Sequence, residues 1–441
     1  MPEMPMTDRP CVLVTGAGGF IGAAIVARLR AEGFAVRGVA RDPEAAARRM
    51  PGIDWVLGDF NRDGAPDAWR PRLEGVAAVV NAAGILQDGA GDSLDAVHIR
   101  GADALFAAAE AAGIRRVVQI SAIGAEPDAA TAFMRTKAEG DRRLQARDLD
   151  WIVLRPGLVI GRPVYGGTGL IRGLAALPFA IPVMAGAKPM QVIGLEDVAA
   201  EVVRSLGPDA KIRVVHDLVH PEPHELAEII TRHRQWLGFT PVPVLTAPAW
   251  TGRLLGKVGD VCGWFGWRAP IRSTAIRQTL EGVVGDPAGW VADTGATPTP
   301  LEALPGLGPA TVQDRWHARL WALRPLALVG LALFWLASGL IALGPGFTDA
   351  VSTLIVTGID AEPARWLTAA TAALDIAIGA ALLARRWHRA ALVATLLVSL
   401  AYLAGGTLLA PALWVDPLAP LLKILPQMLL ALVLLATAES R

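Results

Sequence analysis

Residues 11–22 read CVLVTGAGGFIG. An apolar run stops in a glycine-rich turn and restarts as a helix-forming segment. Val12, Leu13 and Val14 predict a buried strand, and residues 20–32 predict a helix. Gly16, Gly19 and Gly22 give the spacing GxxGxxG. Glycines at such positions allow a tight turn, a close approach of the backbone to a pyrophosphate and close helix–strand packing. The helix that opens after the turn offers unpaired N–H groups and a partial positive charge to an anion. The motif carries weight because it follows a strand and opens a helix.

The other end of the chain is of a different kind. Residues 326–343 carry no charge, 366–384 carry only Asp375, 390–409 carry none and 418–437 carry only Lys423. A membrane span needs about 20 mostly apolar residues, so these runs predict four transmembrane helices. The mean hydropathy of +0.42 fits a partly embedded protein. With 41 basic and 41 acidic residues, nothing in the charge balance favours nucleic acid. Two cysteines, Cys11 and Cys262, imply no disulfide framework. The opening MPEMPMTDRP has no apolar core and no cleavage site, which predicts no signal peptide.

Between these ends the first half alternates. Strands are predicted at 11–15, 35–40, 54–57, 76–81, 116–121 and 151–154, with helices between them, notably at 93–112 and 131–147. The alternation predicts an α/β fold, a Rossmann-type doubly wound parallel sheet. A helix at 196–206, a strand at 213–218 and a helix at 223–236 follow. Residues 161–325 read as a small C-terminal lobe over the carboxyl edge of the sheet, where ligands of open α/β sheets bind. The domains expected are 8–325 for the nucleotide-binding part, with its lobe, and 326–441 for an all-α four-helix transmembrane bundle. Trp316 and Trp321, interleaved with arginines in 315–324, look like an interfacial entry to the first span.

Arginines 315, 319, 324, 385, 386 and 389 flank one side of the predicted spans. Asp349, Asp360, Glu362 and Asp416 flank the other, with Arg365 the exception. Positive charge stays cytoplasmic. The expected location is therefore the cytoplasmic (inner) membrane, multi-pass, with both termini and the nucleotide domain on the cytoplasmic side.

The end of the second predicted strand refines the cofactor. An acid there commonly holds a ribose 2′-hydroxyl. Here the position is Ala40, followed by Arg41, a pairing that suits a 2′-phosphate. NADP(H) is expected over NAD(H). Asp59 is expected to cap the adenine amine, and the small residues Ala82, Ala83 and Gly84 let a cofactor lie against the backbone.

TGAGGFIG, GDF, NAAG, SAIGA and LRPG occur in this order. As a set, over residues 11–206, they resemble the extended and atypical short-chain dehydrogenase/reductase superfamily. Residues 97–125 are similar to the atypical branch that contains the nucleotide-binding accessory subunit of respiratory complex I. In the tail, WLASGL, LDIAIGAALL and PALWVDPLAPLLKILP resemble the DoxX-like membrane family. The resemblance implies a cofactor site at Gly16, Gly19, Phe20, Ile21, Gly22, Arg41, Asp59, Phe60, Ala82, Ala83, Gly84, Ser121, Lys137 and Pro156. It also implies a serine, a tyrosine and a lysine as catalytic groups, the last two spaced YxxxK. Ser121 and Lys137 match, but the tyrosine position is Phe133, which has no proton to give. Tyr165 is the other tyrosine outside the spans, and it is not expected to fill the role.

No metal site is expected. His216, His220, His224 and His233 read as ordinary surface or lobe residues, and His98 as packed or hydrogen-bonded near the sheet. Asp197 resembles a family position that caps a helix and fixes the lobe, though an acid in a first helical turn is the better explanation. In the bundle, Asp375, Tyr402 and Lys423 fall at similar depths. Asp375 and Lys423 either pair beside Tyr402 or stand apart, with Lys423 reaching to the interface. Two functions remain open. One is a redox enzyme acting on an apolar, membrane-derived substrate. The other is a protein that holds NAD(P)H for structure, assembly or sensing without turnover. The expected partners are the lipid bilayer and a small apolar substrate; the sequence does not set the oligomeric state.

Overall fold

The computed structural model of the chain describes residues 10–89, 91–267, 269–304 and 308–438. The first nine residues, with most of the stretch read as lacking a signal peptide, lie outside the described residues. Two compact units emerge, one within 1–261 and 269–318, the other within 262–268 and 319–441.

In the first unit the strands are β1 (Cys11–Thr15), β2 (Ala35–Ala40), β3 (Asp54–Leu57), β4 (Val76–Asn81), β5 (Arg116–Ile120), β6 (Asp150–Pro156), β7 (Leu158–Ile160), β8 (Ile181–Met184), β9 (Met190–Gly194), β10 (Val214–Leu218), β11 (Pro223–His224) and β12 (Val244–Ala247). The helices are α1 (Phe20–Ala31), α2 (Pro43–Arg49), α3 (Pro66–Trp69), α4 (Gly101–Ala111), α5 (Ala132–Gln145), α6 (Gly167–Ala175), α7 (Leu195–Ser205), α8 (Leu226–Trp236), α9 (Ala249–Trp264), α10 (Ser273–Glu281) and α11 (Ala288–Thr294).

Seven strands form one sheet in the order β10-β6-β5-β4-β1-β2-β3. Every pairing in it is parallel. This is the doubly wound sheet that the sequence predicts. Its chain reversal lies between β1 and β4, the switch point where such sheets bind ligands. The central strands are covered on both faces, so they read as continuous apolar runs. One core joins Val12, Val14 and Val80 to Ile25, Leu29, Val198 and Val202 of α1 and α7. The other joins Leu13, Val79 and Val117 to Leu105 and Phe106 of α4. In α5, Thr131 caps the first turn by accepting from Met134 N–H. Its buried stripe is Lys137, Ala138, Asp141 and Leu144, a helical spacing with two charged members.

The lobe carries two small sheets, β11-β9-β7 and β12-β8, over a third core that includes Ile160, Val192, Ile229 and Leu237. Residues 223–236 split where the sequence predicts one helix: Pro223 and His224 pair with β9 before α8 begins. A proline donates no ladder hydrogen bond and suits an edge strand.

The second unit is helical: α12 (Val312–Leu343, its first turns in the other unit), α13 (Phe347–Val356), α14 (Ala361–Leu383), α15 (His388–Leu409) and α16 (Pro420–Ala436). All four apolar runs expected as spans are helical, and they differ in length. Among the described residues, three helices, α12, α14 and α15, are long and apolar enough to cross a membrane. The fourth run forms a 17-residue helix because Ala419, at φ +47°, and Pro420 start it late. At 1.5 Å per residue it covers about 25 Å, at the short end for a span. The loop after the first span also holds a further short helix, α13, set off by Gly344, Pro345 and Gly346. Pro325 sits inside the continuous α12.

Candidate functional site

The turn between β1 and α1 has no room for a side chain at Gly16 or Gly22. Gly16 has φ +63°, and a Cβ there would lie 2.6 Å from Ala82 O. At Gly22 a Cβ would collide with Gly16 O. Gly19 N–H closes the turn onto Gly16 O at 2.8 Å. Around Gly18 there is open space for 4 Å. The α1 N-cap, Gly19, supplies no side-chain acceptor to the first turn, so its N–H groups remain available to an anion. This cradle fits a dinucleotide pyrophosphate. Ala82, Ala83 and Gly84 continue from β4 beside it. A Cβ at Gly84 would come within 3.2 Å of Lys137 Nζ and press on the buried amine.

Ser121 and Lys137 meet at a buried polar cluster. Lys137 is 5 % exposed, and Nζ donates to Ile120 O at 2.9 Å and Ala83 O at 3.3 Å. Burial pushes its pKa down to about 8, opposed by the Asp141 carboxylate. Ser121 Oγ donates to Asp141 Oδ2 at 2.5 Å. Asp141, one turn after Lys137 on α5, is 1 % exposed. Burial raises it to about 6, opposed by the Ser121 hydrogen bond, Lys137, Arg155 and Gln119. Its Oδ1 is buried with no donor in hydrogen-bond geometry. Next to this lies a buried amide chain across the sheet: Thr15 Oγ1 donates to Asn81 Oδ1 at 2.5 Å, and Asn81 Nδ2 to Gln119 Oε1 at 2.7 Å.

Phe133, at the tyrosine position, lies edge-on to His98 with centroids 5.6 Å apart. His98 Nε2 accepts from Ile85 N–H at 3.1 Å, so Nδ1 carries the proton and donates to Thr136 Oγ1 at 2.9 Å. Thr136 Oγ1 donates in turn to Phe133 O. Burial, then Lys137, hold the imidazole neutral, far below its usual range. The ring therefore braces the Phe133 turn, as its expected packing role implies. It sits on a π-helical turn, Ala96–Arg100.

The other residues singled out from the sequence have these surroundings. Asp59 turns its carboxylate onto Asn61, accepting from the backbone N–H and from Nδ2 at 3.1 Å each. The Phe60 side chain is core, 5.0 Å from the Trp69 ring, which leaves only its backbone to face a ligand. Arg41 is exposed at the end of β2 and pairs with Asp92 at 2.7 Å. Phe20 and Ile21 are half-buried against the core, and Pro156 closes β6. The Tyr165 phenol is 47 % exposed. Asp197 accepts from Thr299 N–H and Oγ1 at 3.0 Å each, tying the first turn of α7 to the lobe. Of the four histidines read as surface or lobe residues, His216, His224 and His233 are buried and His220 is half-buried. Donor atoms of His220, Glu222 and His224 gather within 4.8 Å of one another, across a bend at Pro221 and Glu222. His224 Nδ1 is engaged by Glu228 at 3.1 Å.

The bundle has its own buried carboxylate. Tyr402 OH donates to Asp375 Oδ1 at 2.7 Å, and Ser338 Oγ to Oδ2 at 2.9 Å. Three helices, α12, α14 and α15, thus meet on one side chain. The Asp375–Lys423 pair is not formed: Lys423 is exposed on α16. Depth along a helix does not fix which way a side chain faces, and Lys423 faces outward.

Asp141 and the Thr15–Asn81–Gln119 chain were not singled out from the sequence. The signal was present: Lys137, Asp141 and Leu144 share one helical face.

Comparison with known proteins follows the same division. Residues 16–176 match the NAD(P)H-binding family and residues 332–432 the DoxX-like family. A ceramide reductase of Caulobacter vibrioides is 30 % identical over 201 residues, 45 % of this chain and 62 % of that protein. Sterol demethylase protein B of Methylococcus capsulatus is 33 % identical over 250 residues, 51 % of this chain and 73 % of that protein. The crystal structure of gox2253 superposes with a TM-score of 0.52 at 20 % identity, covering 70 % of this chain and 99 % of that one, a likeness of fold. The chain thus belongs to the NAD(P)H-binding, Rossmann-type short-chain dehydrogenase/reductase family and carries a DoxX-like membrane domain at its C-terminal end.

Proposed function

We propose that this protein is a membrane-anchored, NADP(H)-dependent oxidoreductase that reduces a carbonyl group on an apolar, membrane-derived substrate. The observation that carries the reading is the buried Ser121–Asp141–Lys137 cluster, whose acid and amine titrate near 6 and 8, on either side of neutrality, beside the glycine cradle. A group meant only to hold a nucleotide has no need of two perturbed neighbours. The similarity to a ceramide reductase and to a sterol demethylase component supports an apolar substrate.

Gly16, Gly19 and Gly22, with the N–H groups of Phe20 and Ile21, would hold the pyrophosphate. Ala82 to Gly84 and Pro156 would line the cofactor, and Lys137 would reach the nicotinamide ribose. The absence of an acid at Ala40 and the presence of Arg41 support NADP(H), with Arg41 shared between Asp92 and the 2′-phosphate. The bound cofactor supplies the hydride. Ser121 supplies the proton that Phe133 lacks. Protonated Asp141 donates to Ser121 Oγ, which frees the serine hydroxyl to donate forward to the carbonyl oxygen; ionised Asp141 instead draws that proton toward itself. The arginine flanks support placement in the cytoplasmic membrane with the nucleotide-binding unit inside.

A specific observation favours a second reading. Phe133 removes the family's usual acid, which suits a protein that holds NAD(P)H without turnover. The test is NADPH oxidation by full-length protein in nanodiscs with a panel of long-chain and sterol ketones. The expected result is lipid-dependent oxidation that Ser121→Ala abolishes. Its rate should fall as pH rises through about 6, and that limb should be lost in Asp141→Asn. Tightly bound, unspent NADPH across the panel would select the second reading.

A further inference from the structure

Helix α9 is inside out. Its sequence is AWTGRLLGKVGDVCGW. Gly252, Gly256, Gly259 and Gly263 are the buried residues, while Leu254, Val258 and Val261 are 52–58 % exposed, Trp250 is 62 % exposed and Phe265, just past the helix, 55 %. At 100° per residue the glycines lie within about 40° of one line, and the large apolar side chains centre on the opposite line.

The glycine face is a packing face. A Cβ at Gly259 would collide with Ile271 O, and one at Gly256 would approach Ser273 N at 3.2 Å. The segment leading into α10 is therefore pressed against it, and no side chain can be added there. A water-soluble unit exposes leucine and buries glycine only if something apolar covers the leucines. Three further features identify the cover. Arg253 and Lys257 are exposed along one flank of the apolar face. The single acid of the helix, Asp260, is half-buried and occupied by Gln87 at 2.8 Å and Arg272 at 3.3 Å. Trp250 and Trp264 stand at the two ends, with Trp264 87 % exposed. Basic flank, aromatic ends and an apolar face are the composition of a helix lying in a lipid–water interface.

Continuity points the same way. The end of α9 belongs to the membrane unit. There Trp267 Nε1 donates to Leu383 O at 2.6 Å, and Arg385 N–H to Phe265 O at 3.0 Å. Both partners lie at the end of the apolar helix α14, on the side that carries the Arg385–Arg386–Arg389 cluster.

We propose that α9 is an interfacial membrane helix whose Trp250–Leu254–Val258–Val261 face is embedded in anionic lipid on the arginine-rich side of the bilayer. It gives the nucleotide-binding unit a lipid contact of its own, separate from the spanning helices. The inference stands whether or not the protein turns over a substrate.

The test uses the full chain in nanodiscs containing phosphatidylglycerol, in a Cys11→Ser/Cys262→Ser background. An environment-sensitive fluorophore is placed at Leu254→Cys, at Val258→Cys and, as an aqueous reference, at the exposed position Glu44→Cys. The expected result is loss of fluorescence at 254 and 258 to nitroxide-bearing lipid and none to iodide, with the reverse at 44. Adding Arg253→Glu and Lys257→Glu should reduce the lipid quenching. Iodide quenching at 254 and 258 would overturn the proposal. So would protection from both quenchers, which would mean that protein, such as a second copy of the chain, covers the face.

Discussion

Asp141 and Asp375 are both carboxylates at most 4 % exposed, yet their surroundings differ in kind. Asp141 has a hydroxyl donor, Ser121, and two cations, with Lys137 lowering its pKa and Arg155 at 3.6 Å. Asp375 has two neutral donors, Tyr402 and Ser338, from two other helices. In the nucleotide-binding unit, charge is balanced by charge, so removing one member strands another. In the bundle, one acceptor ties three helices through hydroxyls, and the cost of removing it is that of hydrogen bonds. A buried ionisable group poised between two protonation states suits proton transfer; an acid satisfied by neutral donors suits helix association.

The largest effect should come from Lys137→Met. It leaves Asp141 without its nearest amine and the carbonyls of Ile120 and Ala83 without their donor. The expected loss is about 3–5 kcal/mol in the first unit, read by denaturant unfolding in detergent. The double variant with Asp141→Asn should lose less than the sum of the single losses. Additive losses would show that the two groups do not interact.

Asp375→Leu should cost about 1–3 kcal/mol, because it leaves the Tyr402 and Ser338 hydroxyls without an acceptor. Asp375→Asn, which keeps an acceptor, should cost about 1 kcal/mol. Lys423→Met should be silent beside them. A loss for Asp375→Asn that exceeds that of Lys137→Met would reverse the comparison.

Titration should separate the two sites further. Asp141 is raised from 3.8 to about 6 by burial, so the folded state binds the extra proton. Its contribution is full below about 4 and fades as pH rises through 6. Lys137 is lowered from 10.5 to about 8. Its contribution is present above 10.5 and is lost as pH falls through 8. Stability curves against pH for wild type and Asp141→Asn should differ in the acid window. Superimposable curves would place the Asp141 titration outside that window.

The smallest structural change tests the missing phenol. Phe133→Tyr should fold as the wild type does, since Phe133 is half-buried and its ring edge faces His98. It should also gain reduction of simple aldehydes and ketones, which the wild type is expected to leave untouched. Strong wild-type activity on such ketones that disappears in Tyr165→Phe would move the acid to Tyr165.

What the sequence made legible was local. Gly16 to Gly22 and the strand ends follow from short-range spacing, and the first four strands match residue for residue; Ser121 and Lys137 were implied by the family resemblance alone. What it did not reveal depends on azimuth and on long-range packing. Asp141 looked like one charge in the polar run KAEGDRR, although its place one turn after Lys137 put it on the buried face. Lys423 shared a depth with Asp375, but rotation about α16 turns it outward. The short helix α13 and the inverted α9 lie in Pro- and Gly-rich stretches, where hydrophobic period gives little guidance and tertiary contacts decide. The Asp59–Asn61 hydrogen bonds and the Phe60–Trp69 ring contact are packing details that the motif does not encode.

The most direct test of the central claim is isotopic and needs no knowledge of the substrate. Full-length protein in nanodiscs of native lipid extract is given NADPH deuterated at the transferable position, and the lipids are analysed by mass spectrometry. The account predicts deuterium on a carbinol carbon of an apolar lipid, dependent on Ser121. Recovery of the label entirely in NADPH, with every lipid unlabelled, would contradict it.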